Sequence, residues 1–227
     1  MKFVYYGLQE PLRFENGVEY LVIEKPDEFL NLVSNITHAI NGEITEIVLT
    51  DEKGDEYSLS KCADIITDYV SFSPNDKKII TALHKKLQAE FNEEVLSETL
   101  AGAIRNIMKL LDGIIIDSDF DLVYDESIEL SDLFKICNLR INQDYTTLLE
   151  KIISYIDVKT ALQRLKILFL VDAGGYFTKK DLDELSKHCR YKKVNLIFLE
   201  STIRKNIPKE TARIIDADLC EFTIAIE

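Results

Sequence analysis

Asp117, Asp119 and Asp121 stand at alternate positions, and Asp125, Glu126 and Glu129 follow within a few residues. Carboxylates packed this closely repel one another unless water or a cation lies between them, and a hard divalent cation with oxygen ligands relieves the repulsion. The spacing of the first three is that of an EF-hand loop. However, Leu122 stands where that loop needs glycine and Ile128 where it needs a bidentate glutamate. Two readings stay open. The segment is an irregular cation site, for which calcium tolerates the geometry better than magnesium, or it is a solvated acidic loop in which Asp125 or Ser127 caps the next helix.

The basic residues form three clusters. Lys77, Lys78, Lys85 and Lys86 lie on one predicted helical stretch, and Lys78 and Lys85, seven apart, share a face opposite much of the Ile79, Leu83 and Leu87 stripe. Lys159, Arg164 and Lys166 form the second cluster, and Lys187, Arg190, Lys192 and Lys193 the third. Each reads as a solvated face. Facing a common channel, they would instead contact phosphates by charge without reading bases. No aromatic-interleaved nucleic-acid signature accompanies them.

Other chemistries lack their parts. A phosphate cradle needs glycines and a Lys-Ser/Thr pair between strand and helix. Glu24-Lys25-Pro26-Asp27 follows the strand ending at Ile23, has no glycine and places two carboxylates there. Ile167 to Asp172 has the form of a strand ending in an acid, as in the Mg²⁺-binding half of ATPases. Without a partner motif, Asp172 reads as a turn residue beside Gly174-Gly175. His188 beside Cys189 reads as a helix position, and no Ser-His-Asp or Cys-His arrangement stands out.

The elements that must hold these residues follow from apolar period. Phe3 to Tyr6 is a short strand and Val18 to Ile23 a stronger one. A helix starts at Pro26, buries Phe29, Leu32, Val33 and Ile36 on one face, and ends at Asn41-Gly42. Glu46 to Thr50 is a strand, followed by a turn over Asp51 to Asp55. Between Pro74 and Gly113, two helical stripes follow each other, Ile79, Ile80, Leu83, Leu87 and Phe91, then Leu96, Leu100, Ala103, Ile104, Ile107 and Leu111, with Asn92 between them marking either a bend in one long kinked helix or the reversal of a helical hairpin. Leu122 to Tyr124 and Leu139 to Ile141 suit short strands, and Ser127 to Lys135 and Thr146 to Leu165 suit helices. Ile167 to Val171 and Asn195 to Leu199 are buried strands separated by a helix that Thr178 and Asp181 cap, which predicts a parallel βαβ unit. Cys220 to Ile226 can close the sheet. The fold class is α/β, with a head domain over 1–58 and 114–227 and an inserted α-helical domain over 59–113.

The chain of 227 residues carries a net charge of −13, which taken alone opposes nucleic-acid binding. The objection weakens where positive charge is concentrated on one face or cations neutralise the acids. Four scattered cysteines without a Cys-x-x-Cys pair argue against disulfide frameworks and zinc, and fit a reducing cytoplasm. No signal peptide and no apolar run of membrane-spanning length is present.

Several stretches together resemble the small CRISPR-associated adaptation protein of type II-A systems, the Csn-two family. They are Glu10-Pro11-Leu12, Asp121-Leu122-Val123-Tyr124-Asp125-Glu126 with the following helix and Arg140-Ile141, Ile167 to Val171 with Ala173-Gly174 and Phe177-Thr178-Lys179, and Leu196-Ile197-Phe198-Leu199-Glu200. Their order and spacing over nearly the whole chain carry the resemblance.

It implies an α/β head related to P-loop ATPases without a working nucleotide site, a helical leg, and a homotetrameric ring in a bacterial cytoplasm. The ring's lysine-rich inner surface would hold double-stranded DNA ends during spacer acquisition, together with the adaptation integrase and the type II effector nuclease. Calcium would be structural, matched at Asp121, Asp125 and Glu126, with Asp117 and Asp119 in the same neighbourhood. The resemblance carries over no individual lysine; Lys77, Lys78, Lys85, Lys86, Lys159, Arg164 and Lys166 are candidates by charge. The competing readings are an enzyme, either a diverged P-loop NTPase or a metal-dependent nuclease using the acidic cluster, and a protein-only scaffold.

Overall fold

Ile167–Val171 carry no polar side chain and all five are buried. Such a strand must pair its backbone on both edges and be covered on both faces, which a parallel sheet flanked by helices or further strands provides. The computed structural model describes residues 1–14, 17–51, 53–90, 94–125, 127–208 and 212–223. The chain divides into two units, Met1–Pro74 with Gln143–Glu227, and Asn75–Asn142.

The first unit contains β1 (Lys2–Val4), β2 (Leu12–Arg13), β3 (Val18–Ile23), α1 (Pro26–Ile40), β4 (Val48–Thr50), β5 (Glu56–Tyr57), α2 (Leu59–Cys62) and β6 (Ala63–Ile66), then α6 (Leu148–Gln163), β7 (Ile167–Val171), α7 (Lys179–Lys192), β8 (Asn195–Glu200), β9 (Ala212–Ile215) and β10 (Glu221–Thr223). The second contains α3 (Lys77–Glu90), α4 (Glu94–Ile116) and α5 (Leu130–Ile136).

The large sheet runs β10-β9-β3-β8-β7-β6. Every neighbour in it is parallel except the edge pair β9 and β10. A small antiparallel sheet, β2-β1-β4-β5, shares an apolar core with one face of the large sheet and with α1. Leu21, Ile23, Phe169, Ile197 and Leu199 point into this core beside Phe3, Leu49, Leu32 and Ile36. The alternate residues of the same strands, among them Leu168, Leu170 and Phe198, are equally buried on the opposite side, where α7 packs on β8 and on α6.

Local chemistry sets the helix ends. Pro26 opens α1, Asp27 and Glu28 sit in its first turn, and Gly42 with φ of +87° follows its end. Thr178 and Asp181 cap α7 reciprocally: the Thr178 amide donates to the Asp181 carboxylate at 2.9 Å, and the Asp181 amide to Thr178 Oγ1 at 3.3 Å.

In the second unit, α3 packs against α5. The Asn75 side chain donates to the Ile141 carbonyl at 2.8 Å and accepts its N–H at 2.9 Å. That satisfies the backbone there without a strand, so Leu139 to Ile141 is not one, contrary to expectation. Leu122 to Tyr124 is not a strand either; Val123 is 94% exposed and has no edge to join. The helix expected from Ser127 begins at Leu130, where Glu129 and Asp132 form its capping box. Residues 59–66, expected with the helical segment, supply α2 and the edge strand β6, which pairs with β7. The second unit instead extends past residue 113 to Asn142. The bend or reversal expected at Asn92 lies outside the described residues, as does Phe91.

β6 is tied to α6 by a nearly buried ion pair. Lys159 Nζ lies 2.7 Å from Asp64 Oδ2, with side chains 12% and 15% exposed, and the Tyr155 hydroxyl donates to the same oxygen at 2.5 Å. Removing one partner strands the other charge in a low-dielectric setting. Asp64→Ala is therefore expected to cost about 3 kcal/mol in urea unfolding, and Asp64→Leu combined with Lys159→Met distinctly less.

Candidate nucleic-acid interface and cation site

The sequence of α3 (KKIITALHKKLQAE) holds four lysines and one glutamate, a formal charge of 4 − 1 = +3, within a chain of −13. Ile79 is buried and Ile80, Leu83 and Leu87 half-buried, which fixes the helix's rotation. Lys77, Lys78, Lys85 and Lys86 are consequently all exposed. Only Lys86 has an ion-pair partner among the described residues, Glu90 at 3.7 Å. This is a surface able to meet phosphates.

The second predicted cluster is not brought together in that way. Lys159 is held by Asp64, and the Lys166 ammonium lies over the Tyr57 ring at 4.1 Å. Arg164 is exposed, in the left-handed position that ends α6. In the third cluster, Lys192 and His188 converge on Asp157 at 3.0 and 2.8 Å, tying α7 to α6, while Lys187, Arg190 and Lys193 are exposed. Lys151, which no spacing singled out, lies over the Phe72 ring at 4.1 Å and donates to the Val70 carbonyl at 3.0 Å.

The acidic segment follows α4 without regular structure through Asp125. Asp117, Asp119, Asp121 and Asp125 are exposed, and Glu126 lies outside the described residues. The Tyr124 hydroxyl donates to Asp112 Oδ1 at 2.7 Å, and Ser118 Oγ accepts the Phe120 N–H at 3.1 Å. The donor set, carboxylate oxygens only, has the chemistry a hard cation takes. Among the described residues, however, no three acidic, histidine or cysteine side chains gather closely enough to share an ion. α4 beside it is 23 residues long, and none of its described side chains is buried. Leu110, Ile114 and Ile116 are all more than half exposed.

The carboxyl ends of the parallel strands, where sheets of this kind bind ligands, are occupied by the chain's own groups. Asp172 has a left-handed backbone (φ +52°) and accepts from the Ser201 N–H at 2.8 Å and its hydroxyl at 2.7 Å. It starts the turn Ala173–Gly175, as its place beside the glycines predicts.

Glu200 is fully buried; one oxygen accepts the Gly174 N–H at 2.8 Å, and the other faces Arg204 Nε at 3.4 Å without a hydrogen bond. Burial foremost, with the nearby Asp172 charge, pushes its carboxyl up to about 7, although the Gly174 bond and Arg204 pull it down in part. A Cβ on Gly174 would lie 2.8 Å from Arg204 Cδ and 3.0 Å from Glu200 Oε2, so a side chain there would make Arg204 and the buried carboxylate shift. The sequence signal for Glu200 was an acid closing an apolar strand. His188 is a half-buried helix residue, and Cys189 is fully buried with its thiol pushed up to about 12, chiefly by desolvation. No helix among the described residues is long and apolar enough to cross a membrane.

A family model described as CRISPR-associated protein (Cas_Csn2) matches residues 41–219. The chain is 28% identical over 216 residues to the CRISPR-associated protein Csn2 of Streptococcus agalactiae, covering 93% of this chain and 92% of that relative. It is 26% identical over 203 residues to the CRISPR-associated protein Csn2 of Enterococcus faecalis, covering 88% and 89%.

Glu200 makes stability depend on pH. Its folded value of about 7 exceeds its ordinary 4.5, so the fold favours the protonated form. This contribution is fully present below 4.5 and is lost as pH rises through 7, amounting to about 3 kcal/mol. Urea unfolding from pH 4 to 8 is expected to show this fall in the parent chain and a flatter profile in Glu200→Gln.

Proposed function

The chain belongs to the CRISPR-associated Cas_Csn2 family, and from that premise we propose that it is a non-catalytic, sequence-independent double-stranded DNA-binding protein of the bacterial cytoplasm. It closes around DNA ends as a homotetrameric ring and serves the acquisition of new spacers in type II-A antiviral defence, alongside the adaptation integrase and the effector nuclease. The observation that carries the reading is the charge segregation of α3, +3 in a chain of −13, with its lysines turned to solvent. Repeated in several copies around one hollow, such a face focuses positive potential inside an acidic shell.

The uncovered apolar side chains of α4 supply a reason to associate: Leu110 and Ile114, four apart on one helix face, and Ile116 near the helix end are exposed, and uncovered apolar surface costs free energy in water. The sheet unit is an α/β head of P-loop ATPase descent in which nucleotide chemistry has lapsed. No glycine lies in Glu24–Asp27, and Asp172 is engaged by Ser201. The helical unit is the inserted leg. Calcium belongs to the same proposal: Asp117, Asp119, Asp121, Asp125 and Glu126 would draw together around it, and its contribution is to neutralise their repulsion.

In gel shifts, linear duplex is expected to bind and closed circular duplex of the same sequence to bind far more weakly. Raising salt should weaken binding steeply, and Lys78→Glu with Lys85→Glu should weaken it at least about tenfold. Equal affinity for linear and circular DNA would defeat the threading of ends, and an unchanged double variant would remove α3 from the interface.

Calcium at millimolar level is expected to raise the melting temperature of the parent chain and to raise that of Asp121→Asn markedly less. No shift in the parent would remove calcium from the reading. A sensitive phosphate-release or DNA-cleavage signal that vanishes in Asp121→Ala would replace the whole proposal with the enzymatic one.

A further inference from the structure

One recess in the second unit has a composition unlike the rest of this acidic molecule. It holds about 360 Å³, lies against α3 and the turn that ends α5, and has no carboxylate in its lining. Arg140, Lys135 and Asn138 supply donors, and Phe134 and His84 supply aromatic surface. Arg140 has no ion pair among the described residues, while Lys135 shares its charge with Asp132 at 2.9 Å.

Several backbone acceptors around the recess are already bonded. After α5 the chain turns through Asn138 at φ +49°, and the N–H groups of Cys137, Asn138 and Leu139 donate to the carbonyls of Leu133, Lys135 and Phe134 at 2.9, 3.1 and 2.8 Å. His84 Nε2 bonds the Leu139 carbonyl at 2.9 Å, which makes Nε2 the protonated nitrogen and fixes the ring 5.2 Å from that of Phe134. The carbonyls at a helix end would ordinarily repel an anion, and here each of these four is already engaged. The two bonds between Asn75 and Ile141 fasten the rim.

A site with a fixed aromatic surface, an uncommitted guanidinium and a free side-chain amide suits a ligand with a flat face, hydrogen-bonding edges and a phosphate. The volume falls within the range of small-ligand pockets. A nucleotide has all three features, but only when unpaired, because within a duplex its face is stacked and its pairing edge occupied. We propose that this recess receives one unpaired nucleotide of a single-stranded DNA overhang, its base against Phe134 and His84, its edge on Asn138 and its phosphate on Arg140. The inference rests on the DNA-end reading above and adds to it a preference among kinds of end. It concerns the helical unit's own recess and none of the α3 lysines.

The test uses the full chain and a fluorescently labelled single-stranded pentathymidylate, followed by anisotropy, with a blunt duplex titrated separately. Arg140→Gln and Phe134→Leu are each expected to weaken pentathymidylate binding about tenfold, while blunt-duplex binding changes about twofold at most. Arg140 is exposed, so its variant keeps the fold, and circular dichroism checks both. Inorganic phosphate at the same concentration should fail to displace the oligonucleotide. Pentathymidylate that does not bind the parent chain, that binds both folded variants unchanged, or that is displaced equally by phosphate overturns the proposal. Failure of the parent to bind blunt duplex would instead strike the DNA-end reading, and the oligonucleotide titration would still decide the recess.

Discussion

Everything in the larger unit depends on burying the backbone of parallel strands. A peptide group removed from water costs free energy unless its N–H and C=O find partners. β7 and β8 therefore require neighbours along both edges, and their apolar side chains require cover on both faces. The small sheet with α1 covers one face, and α7 packs on the other. With β7 central, β6 and β8 take its two edges and β3 continues the sheet beyond β8. The nearly buried Lys159–Asp64 pair belongs to the same logic, as a polar tie between an edge strand and the helix α6.

The helical unit obeys a different economy of surface. α3 has one buried residue, Ile79, and α4 has none among its described side chains. Lysines can crowd one face of α3 because that face meets only water, where like charges are screened. The same exposure leaves this unit with charged side chains on α3 and apolar side chains on α4 at its surface. Such surface lies in the part of the molecule with the least internal packing, which is where binding surfaces are commonly drawn from.

At the carboxyl edge of the sheet the chain has turned its polar groups inward. Asp172 is bonded by Ser201, and Glu200 by Gly174 with Arg204 alongside. Acids in these positions in an open crevice could address a ligand; here they hold together the turns that follow β7 and β8. The raised carboxyl of Glu200 is the consequence of closing that edge with a titratable group.

Much of this was legible from residue order alone. The strands Val18–Ile23 and Ile167–Val171, the proline-led helix to Ile40 and the Thr178–Asp181 cap are local phenomena, written in apolar period and in side-chain reach over three or four residues. The rotation of α3 followed likewise from its apolar stripe. β6 and β9 escaped notice because their assignment depends on pairing with β7 and β3, not on their own composition. The strands expected at Leu122 and Leu139 failed for the converse reason, since β-prone residues without an edge to join remain loops.

Spacing singled out the acidic run, and it placed Lys159 among the surface cations. Only tertiary structure could turn that lysine inward onto Asp64, 95 positions earlier, bury Glu200, and bring His84 to the turn that holds Phe134 and Arg140. The sequence by itself determined the strongly periodic helices and the apolar central strands, and which of their faces would be apolar, because those depend on neighbours along the chain. Which charges stayed in water and which were paired or buried was decided by contacts between distant residues, and a charge's solvation is a property of its three-dimensional surroundings.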